Sequence, residues 1–361
     1  MTPGVDVLSG LPSPVHSFAS DNSAGVHPKV MEALQRANSG HALAYGADRF
    51  TEAANRRFDE LFGRPVDVFY TWGGTGANVM ALASMWRPGG SVICTDMAHI
   101  HVDETAAPER IVGIKLHTVP HHHGKLTADQ IEGFVHYLGV QHHPQPCGVS
   151  ITQSSEYGTL YSADEVGAIC EMAHRHGMKV HMDGARIANA AAAGRGLESL
   201  RAFTVDVGVD VISFGGTKNG MMYGEAVVFL DRSLAGPAPF IRKQVGQLPS
   251  KMRFVSAQFE ALLSDDLWLQ TAAHANDLAG RLYGAVREVP GLEIRAPEVN
   301  AVFPILEPGA AAALAAWSPF YEWDPARHEV RWMCSWDTTE DDVQRFADGV
   351  RRVLGVSTGG R

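Results

Sequence analysis

From His27 to about residue 262, short β-rich runs alternate with helical runs, and this alternation limits the possible folds more than any other feature of the chain. MEALQRAN (31–38) and TEAANRRFDELFG (51–63) have helical spacing, the second closing on a glycine stop. DVFYTW (67–72) reads as a strand that runs into Gly73-Gly74-Thr75-Gly76 and then a helix-forming run. SVICTD (91–96), a piece of 111–120, GVSITQ (148–153), KVHMDGAR (179–186), DVISFGG (210–216) and EAVVFLD (225–231) read as further strands. Residues 126–138 read as a helix with Thr127 at its cap. Residues 162–177 read as a second, with Ser162 and Glu165 forming a capping box and Gly177 the stop. Strands and helices in alternation predict an α/β fold with a mostly parallel central sheet covered on both faces. Beyond about residue 262, helical stretches at 267–288 and 340–353 flank strand-like pieces near 292–295, 301–305 and 330–334, a smaller α+β pattern. The expected organisation is an N-terminal arm over 1–28, a large domain over 29–262 and a small C-terminal domain over 263–361.

The 361 residues, 45% of them hydrophobic, are enough for a large core. A net charge of -10 is poorly suited to nucleic acid or an anionic membrane, so an anion bound here must be held by a local pocket. Cys94, Cys147, Cys170 and Cys334 show neither a C-x-x-C pair nor a zinc pattern and read as buried free thiols of a reducing compartment. The N-terminus lacks the basic start and apolar run of a signal peptide, and a cytoplasmic location is expected. Seven histidines between His117 and His143 read mainly as a polar loop. They have no cysteine or carboxylate at ligand spacing, and no metal is expected.

Ligands of open parallel sheets bind beyond the carboxyl ends of the strands. Three groups fall at such ends. The first is Gly74, Thr75 and Gly76, where backbone N–H groups and a helix start can hold an anion; taken alone, a plain glycine turn explains these residues equally well. The second is Asp183, whose plainer partner is Arg186 in a local salt bridge. The third is Lys218, set among glycines that suit close passage by a flat ligand, although most lysines are solvated surface groups. In this order the three match what a pyridoxal phosphate site requires: a phosphate cup, an acid facing the pyridine nitrogen, and an amine for a Schiff base. His99, past another strand end, could stack on the ring; alone it reads as a packed or surface histidine.

The runs Phe18–Asn22, His41–Asp48, Gly74–Asn78, His181–Arg186, Phe214–Gly220 and Arg331–Asp337, in order over nearly the whole chain, resemble the threonine aldolase family of fold-type-I pyridoxal phosphate enzymes. They resemble most the low-specificity L-threonine and phenylserine aldolases. The resemblance implies a seven-stranded-type sheet with a smaller C-terminal domain, and retro-aldol cleavage of β-hydroxy-α-amino acids to glycine and an aldehyde. It implies Lys218 as the Schiff-base lysine, Asp183 as the pyridinium partner, His99 as the stacking histidine, and Gly74, Thr75 and Gly76 as the phosphate cup. Lys243 and Arg253 would add positive charge to the phosphate, from a neighbouring subunit in one reading. Ser20, Arg186 and Arg331 would hold the substrate carboxylate. His142, with His143 as the alternative one residue on, would sit near the substrate hydroxyl, and Tyr45 would reach an adjacent active site. A homodimer or homotetramer with shared sites follows.

Two other readings compete. One keeps the cofactor but directs it to β-elimination or transamination, according to which bond at Cα is aligned. The other is a non-catalytic binding protein on the same fold, against which the intact Lys218, Asp183 and arginines weigh. A nicotinamide dehydrogenase is excluded by the missing G-x-G-x-x-G fingerprint.

Overall fold

A computed structural model describes residues 7–355. Contacts divide the chain into a larger unit, Val26–Leu269, and a smaller one in which Met1–Gly25 joins Gln270–Arg361. These bounds differ from the expected ones at 28 and 262, and residues 1–6 and 356–361 lie outside the described residues.

The larger unit is built on a seven-stranded sheet in the order β1-β7-β6-β5-β4-β2-β3. Its strands are β1 (Asp67–Thr71), β2 (Gly90–Thr95), β3 (Lys115–Val119), β4 (Gln145–Thr152), β5 (Lys179–Gly184), β6 (Val211–Gly215) and β7 (Glu225–Phe229). β7 runs antiparallel to both of its neighbours, β1 and β6; the remaining pairs are parallel. The carboxyl ends of β1, β2, β4, β5 and β6 therefore share one edge, to which β7 contributes its first residue, Glu225, paired with Thr71 and Gly215. Strands so placed are apolar on both faces, and β2, β6 and β7 are buried throughout. On one face, Met80, Ala81 and Leu82 pack with Val92, Leu116, Val211 and Phe229. An aromatic cluster of Phe58, Tyr70, Phe214, Phe259 and Trp268 forms a second part of the core.

The glycine stop and the capping box act where they were read, and Asp48 adds a cap that was not. Asp48 caps the helix Arg49–Phe62, and Gly63 ends it in the left-handed region at φ 67°. Ser162 and Glu165 form the reciprocal box that opens the helix Ala163–Arg175. The helix expected over 126–138 is instead two short pieces, Ala128–Glu132 and the 3-10 turn Val135–Tyr137, interrupted at Gly133. All four cysteines are buried and free. Among the described residues no helix is long and apolar enough to cross a membrane.

The smaller unit has a sheet of β8 (Glu293–Ile294), β10 (Pro304–Ile305), β11 (Tyr321–Asp324) and β12 (Glu329–Met333), with β9 (Ala301–Val302) pairing β12. Its core joins Trp332 and Phe346, 5.0 Å apart, to Phe18, 4.5 Å from Phe346. Phe18 and Leu8 are fully part of this core, and for that reason the Pro- and Ser-rich start is not a free arm. Asp342 pins it further, accepting from the Val15 and His16 amides and pairing with the His16 ring at 2.7 Å.

Candidate active site

The carboxyl edge of the large sheet gathers the residues that carry chemistry. The β6 strand ends at Gly215, and Thr217–Asn219 form a single 3-10 turn that presents Lys218. This turn is locked. A Cβ at Gly215 would stand 2.3 Å from the Ala185 carbonyl oxygen, and one at Gly216 would stand 2.4 Å from the Met221 sulfur. Glycine is required because two backbone segments pass too closely for any side chain. The Gly216 N–H donates to Glu225 Oε2 at 2.8 Å, and Asn219 Nδ2 donates to the Trp268 carbonyl at 2.9 Å. Burial pushes the Glu225 carboxyl up to about 7 despite the hydrogen bonds from Thr217 and Gly216 and the charge of Lys218.

Asp183 stands near the end of β5 and is buried. Its Oδ2 accepts from Asn78 Nδ2 at 2.8 Å and its Oδ1 from the Ala185 N–H at 2.9 Å. Burial alone would raise its pKa. The charge on His99, with these hydrogen bonds, outweighs that and holds the carboxyl below its usual range. One turn of strand below, His181 is fully buried between Ser150 and Ser213, each 2.9 Å away, and burial lowers its pKa to about 4.

His99 opens a short helix just past β2. Its Nδ1 lies 2.8 Å from Glu104 Oε1, and that bond raises its pKa against the effects of burial and of the nearby Lys218 ammonium. Glu104 Oε1 also accepts from Asn78 Nδ2 at 2.8 Å, so a single amide bridges Glu104 and Asp183. His99, Glu104 and Asp183 place one ligand atom each within 4.8 Å of one another. The Asn78 donor already fills the position between the two carboxylates where a cation would bind.

The strand-to-helix turn after β1 places Gly74, Thr75 and Gly76 as the first three residues of the helix Gly74–Ser84. A Cβ at Gly73 or Gly74 would meet open space, whereas one at Gly76 would strike the Gln247 amide at 2.3 Å. Gln247 Oε1 in turn accepts from the Trp72 N–H at 2.9 Å, so the segment that follows Lys243 covers this helix start. Lys243 Nζ lies 5.6 Å from the centroid of the Tyr45 ring. Tyr45 is 52% exposed and sits at φ 61°, and its N–H donates to the Ser250 carbonyl. Arg253 Nη1 donates to the Gly40 carbonyl at 3.1 Å. Arg186 is half-buried at the start of the helix Ile187–Ala193, two residues past β5.

His142 is not brought into this set. It stands three residues ahead of Gln145, the first residue of β4, which pairs with Gly90 at the start of β2. It is exposed at the amino edge of the sheet, and His143 beside it stacks on Tyr137 at 4.5 Å. Sequence spacing gives a distance along the chain but not the end of the strand on which a residue falls. Ser20 and Arg331 belong to the smaller unit. There the Arg331 Nη2 donates to the Ala19 carbonyl at 3.3 Å and the guanidinium lies 4.4 Å from the Trp323 ring centroid. Ser20 Oγ caps the turn Asp21–Ser23.

Sequence reasoning missed Asn78, Glu104, Glu156, Glu225 and Gln247. Asn78 lay inside a quoted motif, yet nothing local marks an amide whose partners are 26 and 105 residues away.

Pyridoxal phosphate fits what is present. Three buried oxygens, Asn78 Oδ1, Glu104 Oε2 and Glu156 Oε2, lack a protein partner around His99 and Asp183. Polar atoms so buried call for a partner from outside the chain, water or ligand. The start of an 11-residue helix, with open space over Gly73 and Gly74, suits a phosphate, and Asp183 is held ionised to meet a protonated ring nitrogen.

The β-eliminating lyase family model matches residues 17–307. The chain is 43% identical to a low-specificity L-threonine aldolase of a Pseudomonas species, over 93% of this chain and 97% of that one. It is 42% identical to the Pseudomonas aeruginosa low-specificity L-threonine aldolase, over 94% and 98% respectively. Among solved structures, the threonine aldolase of Leishmania major superposes with a TM-score of 0.87 at 33% identity, covering 94% of this chain and 99% of that one.

Proposed function

Since this chain belongs to the β-eliminating lyase family, and within it to the low-specificity L-threonine aldolases, we propose that it cleaves β-hydroxy-α-amino acids of the L-threonine type to glycine and an aldehyde with pyridoxal phosphate. The observation that carries the reading is the convergence of Lys218, Asp183 and His99 at one sheet edge, tied by Asn78 and Glu104.

Pyridoxal phosphate, carried on the Lys218 amine, supplies the electron sink for the pair released when Cα–Cβ breaks. The chain supplies the rest. Gly74, Thr75 and Gly76 bind the phosphate at the helix start, with Lys243 and Arg253 adding positive charge. Asp183, ionised and aimed by Asn78 and Ala185, keeps a proton on the ring nitrogen. For the substrate carboxylate the larger unit supplies Arg186, whose planar guanidinium fork holds it in one orientation and so selects the bond at Cα that breaks.

The β-hydroxyl must lose its proton as the bond parts. The acceptor proposed at this edge is His99, in place of His142: Glu104 holds Nδ1, which leaves Nε2 to act directly or through water. His142, at the other edge of its own sheet, is not assigned this role within the chain.

Assembly into a homodimer or homotetramer with shared sites is part of the proposal. It rests on exposed Leu43, Tyr45, Trp72, Met222 and Phe240, with Lys243 over Tyr45. A cytoplasmic location rests on the four buried thiols. The test is product analysis on a panel of threonine, allo-threonine and phenylserine. Glycine with aldehyde supports the proposal; ammonia with keto acid would replace it by β-elimination.

A further inference from the structure

Glu156 lies in the segment that follows β4 and takes no part in the mechanism above. Its Oε1 accepts two hydrogen bonds, from Thr152 Oγ1 at 2.7 Å and from the His99 N–H at 3.1 Å. Both donors belong to the site: Thr152 pairs in register with Asp183, and His99 opens its helix on the Glu156 oxygen. Oε2, in contrast, is buried and meets no protein donor or acceptor. An oxygen in that position is desolvated without return unless something else binds it.

We propose that Glu156 holds a proton and donates it from Oε2, as a hydrogen bond, to an acceptor oxygen or nitrogen of the ligand in the strand-end site. The inference rests on the pyridoxal phosphate reading and adds to it a third acid–base group beside His99 and Asp183. The surroundings support a neutral acid. Burial raises the Glu156 pKa to about 7; the Thr152 hydroxyl and the His99 amide oppose this, and the Asp183 carboxylate on β5 reinforces it. Cys94 on β2 and Tyr161 past the loop both feel the Glu156 charge, and neither offers a cation to offset it. The hydrogen bonds that reach this carboxyl come from neutral donors, the Thr152 hydroxyl and the His99 amide. A neutral O–H therefore costs less here than a carboxylate, and it supplies the donor that Oε2 would otherwise lack.

Glutamine separates this role from a purely structural one. Glu156→Gln keeps the Oε1 acceptor for Thr152 and His99 and replaces the acid O–H with an N–H that cannot titrate. Glu156→Ala removes both. The measurement is a pH titration of the visible absorption of bound pyridoxal phosphate in the full-length protein, with cofactor affinity measured at each variant. The expected results are a spectral step near 7 in the wild type, its loss in Glu156→Gln with affinity retained, and roughly 10-fold or greater weakening in Glu156→Ala. A step that persists unchanged in Glu156→Gln overturns the proposal.

Infrared spectra of cofactor-free protein with labelled glutamate provide a second measurement that needs no turnover. At pH 6 both Glu156 and Glu225 should contribute neutral carboxyl absorption; a component lost in Glu156→Gln and retained in Glu225→Gln supports the proposal, and a Glu156→Gln spectrum identical to that of the wild type refutes it. If Glu156→Gln does not fold, survival of neutral carboxyl absorption in Glu225→Gln supports the proposal and its loss refutes it. Protein that binds no pyridoxal phosphate would defeat the parent reading, while the infrared result would still decide whether Glu156 carries a proton.

Discussion

The side-chain amide of Asn78 stands 2.8 Å from the Asp183 carboxylate and, with the same nitrogen, 2.8 Å from Glu104. One neutral donor thus keeps two buried acids apart and in orientation. Asn78→Ala leaves both without it. The expected cost is about 1.5–3 kcal/mol in cofactor binding, roughly a 10- to 100-fold rise in Kd. Titrating pyridoxal phosphate into the variant by absorbance measures this, and an unchanged Kd would show that Asp183 needs no such support.

Lys218→Ala should lose turnover by several orders of magnitude and escape labelling by borohydride, which in the parent should fix pyridoxal to Lys218. Mass mapping of the reduced protein is the check. Label on any other lysine would remove the central assignment.

Glu104 raises the His99 pKa through its hydrogen bond, so His99 acting as a base should give an acidic limb in kcat/KM. Glu104→Gln removes the raising partner and should move that limb to lower pH. An acidic limb at the same pH in both proteins would exclude His99 as the titrating base.

Gly215→Ala would press a Cβ into the Ala185 carbonyl oxygen from 2.3 Å. The β6 turn or the segment before Arg186 must then shift, at a cost of about 1–3 kcal/mol. Denaturant melts should show the lost stability, and activity should fall further than stability because Lys218 and Arg186 move. Wild-type melting and kinetics would contradict the close approach.

Burial alone would raise the Asp342 pKa, but hydrogen bonds from Thr339 and His16 lower it from the usual 3.8 to about 2. A carboxyl lowered on folding adds stability above its unfolded pKa and gives that stability up as pH falls through its folded value. The contribution should therefore be complete above pH 4 and disappear between about 3.8 and 2. Asp342→Asn should lower Tm at neutral pH and flatten the acid dependence in that window. A Tm difference that is constant down to pH 2 would place the effect elsewhere.

What is local was legible along the chain. A capping box at Ser162 and Glu165, a stop at Gly63 and the glycines around Lys218 act over a few residues, where backbone sterics leave little choice. They fixed the alternation of strands and helices, and with it the edge on which Lys218, Asp183 and the 74–76 turn had to fall. What is distant emerged only on packing. Asn78 finds Asp183 across 105 residues, and Phe18 enters a core with Phe346 although its surroundings read as an arm. Packing also left His142 at the amino edge of the sheet. Such partners are selected by the free energy of burying apolar surface and satisfying buried polar groups, a property of the packed molecule that no stretch of neighbouring residues carries.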